Sequence, residues 1–96
     1  MDFQVLITES ALEDLKGIVS FIAEDDSVIA VRVGEGLIER ALSLGTLPTR
    51  CPYHDSARGI RKMTAVPFIV YYSCDEKAGV VHILHFWHAA RLSPEF

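Results

Sequence analysis

The chain has 96 residues, of which half are apolar and 23% are charged, and its formal net charge at pH 7 is -4. This length fits one domain over residues 1–96 with its own core, and the composition excludes a disordered chain. No apolar run approaches a membrane span, and the run in MDFQVLIT is too short for a signal peptide, so we expect a soluble cytoplasmic protein.

The charge is unevenly distributed along the chain. Residues 1–45 contain nine Asp and Glu against three Lys and Arg, whereas residues 46–96 contain four against six, together with all four histidines. We therefore expect a solvated acidic face from the first part and a surface for an anionic partner from the second. This positive surplus is small for a protein that holds nucleic acid mainly through phosphate contacts.

The first predicted elements are a strand and a helix. Residues 2–8 alternate apolar and other side chains, which predicts a short strand. A helix follows, capped either by Thr8 or by Ser10, which forms a capping box with Glu13. The apolar stripe predicted for this helix consists of Leu12, Leu15, Val19 and Ile22.

A second helix is predicted from Asp26 or Ser27 to about Leu44. Gly34 lies inside this helix, where we expect close approach of a neighbouring element. Gly45 follows as a residue that tolerates positive φ and ends the helix. The predicted stripe consists of Ala30, Val33, Leu37, Ala41 and Leu44, widened by Val31, Ile38 and Leu42.

The last third of the chain predicts three strands. An irregular connector over residues 47–57 precedes strands at 59–64, 67–74 and 80–87, which tight turns join into an antiparallel meander. The predicted fold class is therefore α+β with the order β-α-α-β-β-β. In this arrangement the helical hairpin packs on a mostly antiparallel four-stranded sheet, which buries both apolar stripes.

The cysteines and histidines do not indicate a metal or cofactor. Cys51 and Cys74 are expected to be free thiols in a reducing cytosol. His82, His85 and His88 recur at every third position, but on a strand His85 points away from the other two. We therefore predict no metal site and no cofactor.

The order and spacing of several short motifs resemble the RelE/ParE superfamily of bacterial type II toxins. A first strand is followed by T-x-x-A-x-x-D-L, which starts at Thr8, and a later G-x-R ends at Arg61. An apolar strand ending in two tyrosines precedes V-x-I-L-x-F-W-H-A-A-R over residues 81–91. The resemblance covers nearly the whole chain and implies the β-α-α-β-β-β fold.

The resemblance implies two alternative activities. The RelE-like branch consists of ribosome-dependent endoribonucleases that cut mRNA, for which Arg61, His88 and Arg91 would be the catalytic residues here. In that branch an arginine is expected near Ile69 and a tyrosine after the last strand, and this chain has neither. The ParE-like branch, which includes plasmid stabilization proteins, lacks the nuclease set and has a similar small-small-Arg ending. Its members are similar to gyrase poisons, which trap DNA gyrase without chemistry of their own.

We predict a ParE-like toxin that inhibits DNA gyrase and catalyses no reaction. A cognate antitoxin, implied by the resemblance, would bind over the helices or the sheet, and the acidic first part would suit a basic antitoxin segment. A third hypothesis is a non-toxic binding module that forms a homodimer. The residues predicted to contact a partner are Arg58, Arg61, Lys62, Trp87, His88 and Arg91.

Overall fold

The computed structural model describes residues 2–96, and the predicted α+β class is confirmed. Among these residues, no helix has both the length and the hydropathy needed to cross a membrane. The elements are β1 (Gln4–Ile7), α1 (Glu9–Ala23), α2 (Ser27–Ser43), a 3₁₀ turn (Pro48–Arg50), β2 (Tyr53–Asp55), β3 (Ile60–Ala65), β4 (Phe68–Asp75) and β5 (Val80–His88).

The five strands form one sheet in the order β1-β5-β4-β3-β2. Strand β1 pairs with β5 in parallel, and the remaining pairs are antiparallel, so the predicted meander is confirmed. The predictions of four strands and of an irregular connector over residues 47–57 were wrong. This connector contains β2, which is the fifth strand of the sheet. Strand β2 has three residues, too few to show a period, and is defined only by its pairing with β3.

The two faces of the sheet have different surroundings. Both helices pack on one face, here called the helix face, which supplies the strand residues of the main core. These core residues are Met63, Ala65, Phe68, Val70, Tyr72, Val81, Ile83 and Phe86. The opposite face, here called the open face, consists by strand alternation of Ile60, Lys62, Thr64, Ile69, Tyr71, Ser73, His82, His85 and Trp87.

Thr8 joins the start of α1 to the sheet. Its side-chain oxygen accepts a hydrogen bond from the N–H of Ala11 at 3.3 Å, which makes Thr8 the N-cap, while Ser10 lies inside the helix. The same hydroxyl donates to the carbonyl of Ile83 in β5 at 2.6 Å. One side chain therefore sets both the first turn of the helix and its place beside β5.

The predicted helix stripes are only partly buried. Leu12 is 42% exposed, and Ala11 is buried in its place, while Val31 and Leu42 on α2 are more than half exposed. The prediction that Leu12, Val31 and Leu42 are buried was wrong. The face of each helix that packs on the sheet is narrower than the stripe of apolar residues in its sequence. The remaining stripe residues contact the core, apart from Ala30, which is buried outside the main cluster.

Two glycines are required where elements approach closely. A Cβ at Gly34 would lie 3.0 Å from Val19 Cγ2, which confirms the predicted close approach of α1. Gly45 does not have positive φ, so the predicted reason for it was wrong; Leu47 has φ 48° instead. A Cβ at Gly45 would lie 2.8 Å from the carbonyl oxygen of Phe3, because the chain entering β1 crosses there.

We predict opposite effects on stability for alanine at Gly45 and at Gly36. Gly45→Ala forces the backbone at Phe3 to shift and should lower the free energy of unfolding by about 1–3 kcal/mol. Gly36 lies inside α2, and a Cβ added there would have no atom of another element within 4 Å, so Gly36→Ala should raise this free energy by about 0.5–1 kcal/mol. Urea denaturation measures both, and equal effects would contradict the predicted close approach.

Candidate functional site

A groove of about 760 Å³ opens between the helices and the end of the sheet, and we call it the helix groove. Most of its lining is apolar, including Phe21, whose side chain is 74% exposed. Side chains of both charges also line it, with carboxylates on α1 and a guanidinium after β5. The lining residues are Glu13, Asp14, Gly17, Ile18, Phe21, Ile22, Val33, Pro67, Phe68, Phe86, His88 and Arg91.

Asp14 fixes the wall of this groove to the sheet. Strand β1 pairs with β5 only as far as Ile83, so the edge of β5 beyond that point has no neighbouring strand. Asp14 Oδ2 accepts a hydrogen bond from the N–H of Phe86 at 3.3 Å and lies 2.6 Å from His85 Nδ1. A carboxylate on α1 therefore replaces the missing strand as the hydrogen-bond partner of β5.

Arg61 contacts the chain before β2. It lies opposite Tyr72, on the helix face, and donates hydrogen bonds to the carbonyls of Thr49 at 3.1 Å and Cys51 at 2.6 Å. Its guanidinium carbon is 3.9 Å from the centroid of the Tyr53 ring. The Arg61 side chain therefore binds the connector and β2 to the sheet.

His88 and Arg91 lie together at the far end of the sheet. Both line the helix groove, and the Arg91 guanidinium carbon is 4.0 Å from the centroid of the Trp87 ring. His88 pairs with Phe68 in register, whereas Arg61 pairs with Tyr72, four residues further along β4. This separation corresponds to about 13 Å of strand, so Arg61 does not converge with His88 and Arg91.

Arg58 and Lys62, two further residues predicted to contact a partner, lie near the open face. Arg58 forms an ion pair with Asp55 at 3.8 Å, and both side chains are exposed to solvent. Its Nη1 also donates to the carbonyl of Phe96 at 2.6 Å. Lys62 lies opposite Tyr71 in register.

The sequence interpretation missed an aromatic cluster on the open face. The ring of Phe96 has its centroid 5.7 Å from that of His54 and 5.4 Å from those of Tyr71 and His85. His54 was placed in the irregular connector, and the four residues lie in four separate segments. Long-range strand pairing brings them together, so no local pattern could have identified the cluster.

The titratable groups near the core are not prepared for nucleophilic chemistry. Burial raises the pKa of Tyr72 above its usual value, as does its contact with Cys51, and its hydroxyl donates to the carbonyl of Pro48 at 2.6 Å. Burial and the nearby Glu76 raise the pKa of the Cys74 thiol, which disfavours a reactive thiolate. Both cysteines are free, and residues 2–96 contain no group of three or more potential metal ligands.

Comparison with solved structures shows which fold this is. A chain of the toxin–antitoxin complex RelBE2 from Mycobacterium tuberculosis matches with a TM-score of 0.71 and 21% identity, over 92% of this chain and 99% of that one. A chain of a chromosomal ParDE toxin–antitoxin system from P. aeruginosa matches with a TM-score of 0.77 and 17% identity, over 90% and 95%. These two matches show that this chain shares the fold of both proteins.

The family follows from the sequence match. The family model of the ParE toxin of type II toxin–antitoxin systems, parDE, matches residues 5–93. No curated protein matches the chain significantly. Because the family model spans nearly all of the sequence, the chain belongs to the ParE toxin family.

We predict that Asp14→Ala destabilises the protein far more than Glu13→Ala. The first change leaves the N–H of Phe86 and the Nδ1 of His85 without their partner and should lower the free energy of unfolding by about 1–3 kcal/mol. Glu13 is exposed, so its replacement should change this free energy by less than about 0.5 kcal/mol.

Urea denaturation and amide hydrogen exchange measure the effect of Asp14→Ala. The exchange of the Phe86 amide should accelerate most, because it loses its acceptor directly. Equal stability of the two variants would show that Asp14 does not hold α1 to β5.

Proposed function

We propose that this protein is a toxin that inhibits DNA gyrase by binding it and that a cognate antitoxin neutralises it. Membership of the ParE family supports this target over the ribosome. The observation that supports binding over catalysis is the position of Arg61. Its guanidinium is held by carbonyls of the connector, about 13 Å along the sheet from His88 and Arg91. The endoribonuclease alternative requires these three residues around one phosphate.

The helix groove is the proposed antitoxin site. The two similar structures are described as toxin–antitoxin systems, and their chains share this fold. The volume and apolar lining of the groove suit the side chains along one face of an amphipathic helix. Carboxylates of Glu13 and Asp14 and the guanidinium of Arg91 provide partners for charges flanking that apolar face.

Exposed apolar side chains extend this surface beyond the groove. Ile29, one turn before the groove residue Val33 on the same face of α2, is 48% exposed, and Phe21 on the adjoining helix is 74% exposed. Monomeric proteins seldom expose apolar residues in such a group without a partner. The helical hairpin therefore has more apolar surface than its own core uses, as an antitoxin site requires.

We predict that Phe21→Glu abolishes antitoxin binding without unfolding the toxin. The side chain is 74% exposed, so the charge is tolerated in the free protein but is desolvated under an apolar helix, and the affinity should fall at least about tenfold. Leu47→Glu makes the same change at a side chain that is 70% exposed and outside the groove. The affinity of Leu47→Glu for the antitoxin should stay within about twofold of the wild-type value.

Calorimetry with the antitoxin encoded beside the toxin gene measures both affinities. Circular dichroism confirms that both variants are folded. Equal affinities of the two variants would place the antitoxin elsewhere.

We predict that the purified toxin blocks DNA supercoiling by purified gyrase. With relaxed plasmid and ATP, supercoiling should stop, and linear DNA should accumulate after the proteins are denatured, because a trapped enzyme holds cut DNA. An equimolar amount of antitoxin should restore supercoiling. Unaffected gyrase together with cleavage of mRNA on ribosomes would favour the endoribonuclease. Neither effect, together with a stable homodimer, would favour the non-toxic module.

A further inference from the structure

The segment Arg91–Phe96 folds back over the open face of the sheet. Trp87 Nε1 donates a hydrogen bond to the carbonyl of Leu92 at 2.6 Å, and Arg91 lies against the ring of Trp87. At the other end of the segment, Arg58 donates to the carbonyl of Phe96 at 2.6 Å. Side chains of the sheet and the β2–β3 turn thus bind the main chain of this segment at both ends.

The ring of Phe96 occupies a cage of three other rings. His54 and Tyr71 pack against each other at 4.9 Å between centroids, and His85 completes the cage. Two of the contacts to Phe96 are T-shaped and the third is tilted, which are favourable arrangements for aromatic pairs. We call His54, Arg58, Tyr71 and His85 the open-face site.

Recognition at this site uses features that any extended peptide with an aromatic side chain has. The hydrogen bonds go to main-chain oxygens, one of Leu92 and one of Phe96, the last residue of the sequence. The ring cage selects the side chain, and the residue before it is Glu95, which lines a cavity together with Arg58. The cage selects an aromatic residue, and the charge of Arg58 across the cavity would favour an acidic residue before it.

The chain's own segment fills this site incompletely. Leu92 is 92% exposed, and Phe96 keeps 39% of its surface exposed inside the cage. A cavity of about 470 Å³ remains beside Phe96, lined in part by Ser73, Leu84 and His85. Pro94 is the one buried residue of Arg91–Phe96, so the segment has little buried surface to lose on opening, and a longer ligand can use the remaining cavity.

We propose that the open-face site binds an extended segment of another protein, in which an aromatic residue follows an acidic one, and that Arg91–Phe96 occupies the site in cis as a competitor. The site lies on the open face of the sheet, and its His85 contacts Asp14 of α1, which also lines the helix groove. The proposal does not depend on the identity of the toxin's target.

The test uses the full-length protein and the peptide RLSPEF, with a fluorophore at its N-terminus and a free C-terminal carboxylate, because Arg58 contacts the main-chain oxygen of Phe96. Fluorescence anisotropy should show at least about tenfold tighter binding to Phe96→Ala than to the wild-type chain, because the tethered competitor acts at a high effective concentration. Adding His54→Ala to that variant should weaken binding at least about fivefold, since one wall of the cage is removed. Phe21→Ala, in the helix groove, should match the wild-type chain.

Changes in the peptide test the same site without altering the protein. With Phe96→Ala as receptor, RLSPEA should not bind, and RLSPKF should bind several-fold more weakly than RLSPEF. Equal binding of RLSPEF to the wild-type chain and to Phe96→Ala, or binding of RLSPEA, would overturn the proposal. So would Phe96→Ala binding a single-stranded RNA but not the peptide. Dimerisation of the wild-type chain that Phe96→Ala abolishes would instead assign the site to a second copy.

Discussion

Strand β5 lies between β1 and β4, and its hydrogen bonds determine where the helices lie. Strand β1 covers only the first part of one edge, and beyond Ile83 the side chains of α1 replace it. Thr8 bonds to the carbonyl of Ile83, and Asp14 accepts the N–H of Phe86. Leaving the buried N–H of Phe86 or the carbonyl of Ile83 without a partner would cost free energy. The contacts of Asp14 and Thr8 therefore fix α1 along the unpaired edge of β5. The helix groove forms where α1 continues past the end of the sheet.

This placement separates two surfaces with different chemistry. On the helix side, the apolar pattern of the hairpin is wider than the sheet can bury, which leaves Phe21 and Ile29 exposed beside or within the helix groove. On the other side, aromatic rings and Arg58 hold the chain's own last residues. Burial raises the pKa of Tyr72 and of Cys74, which disfavours the charged form of each group.

The helices, the meander and the superfamily could be predicted because each depends on local periodicity or on motif order. Strand β2 could not, since its three residues become a strand only through pairing with β3. The role of Gly45 also depends on a distant segment, the backbone of Phe3. The sequence grouped Arg61 with His88 and Arg91, but strand register places Arg61 four residues away along β4. The cage around Phe96 required the tertiary fold, because its members come from four segments.

The function proposed for this protein is arrest of DNA synthesis by binding, without cleavage by the protein itself. Incorporation of labelled thymidine and labelled methionine, followed in the first minutes after induction in a bacterium without the antitoxin, tests it most directly. The account predicts that thymidine incorporation falls first, while methionine incorporation continues until DNA damage affects the cell. An earlier collapse of methionine incorporation would contradict the account and would favour cleavage of mRNA.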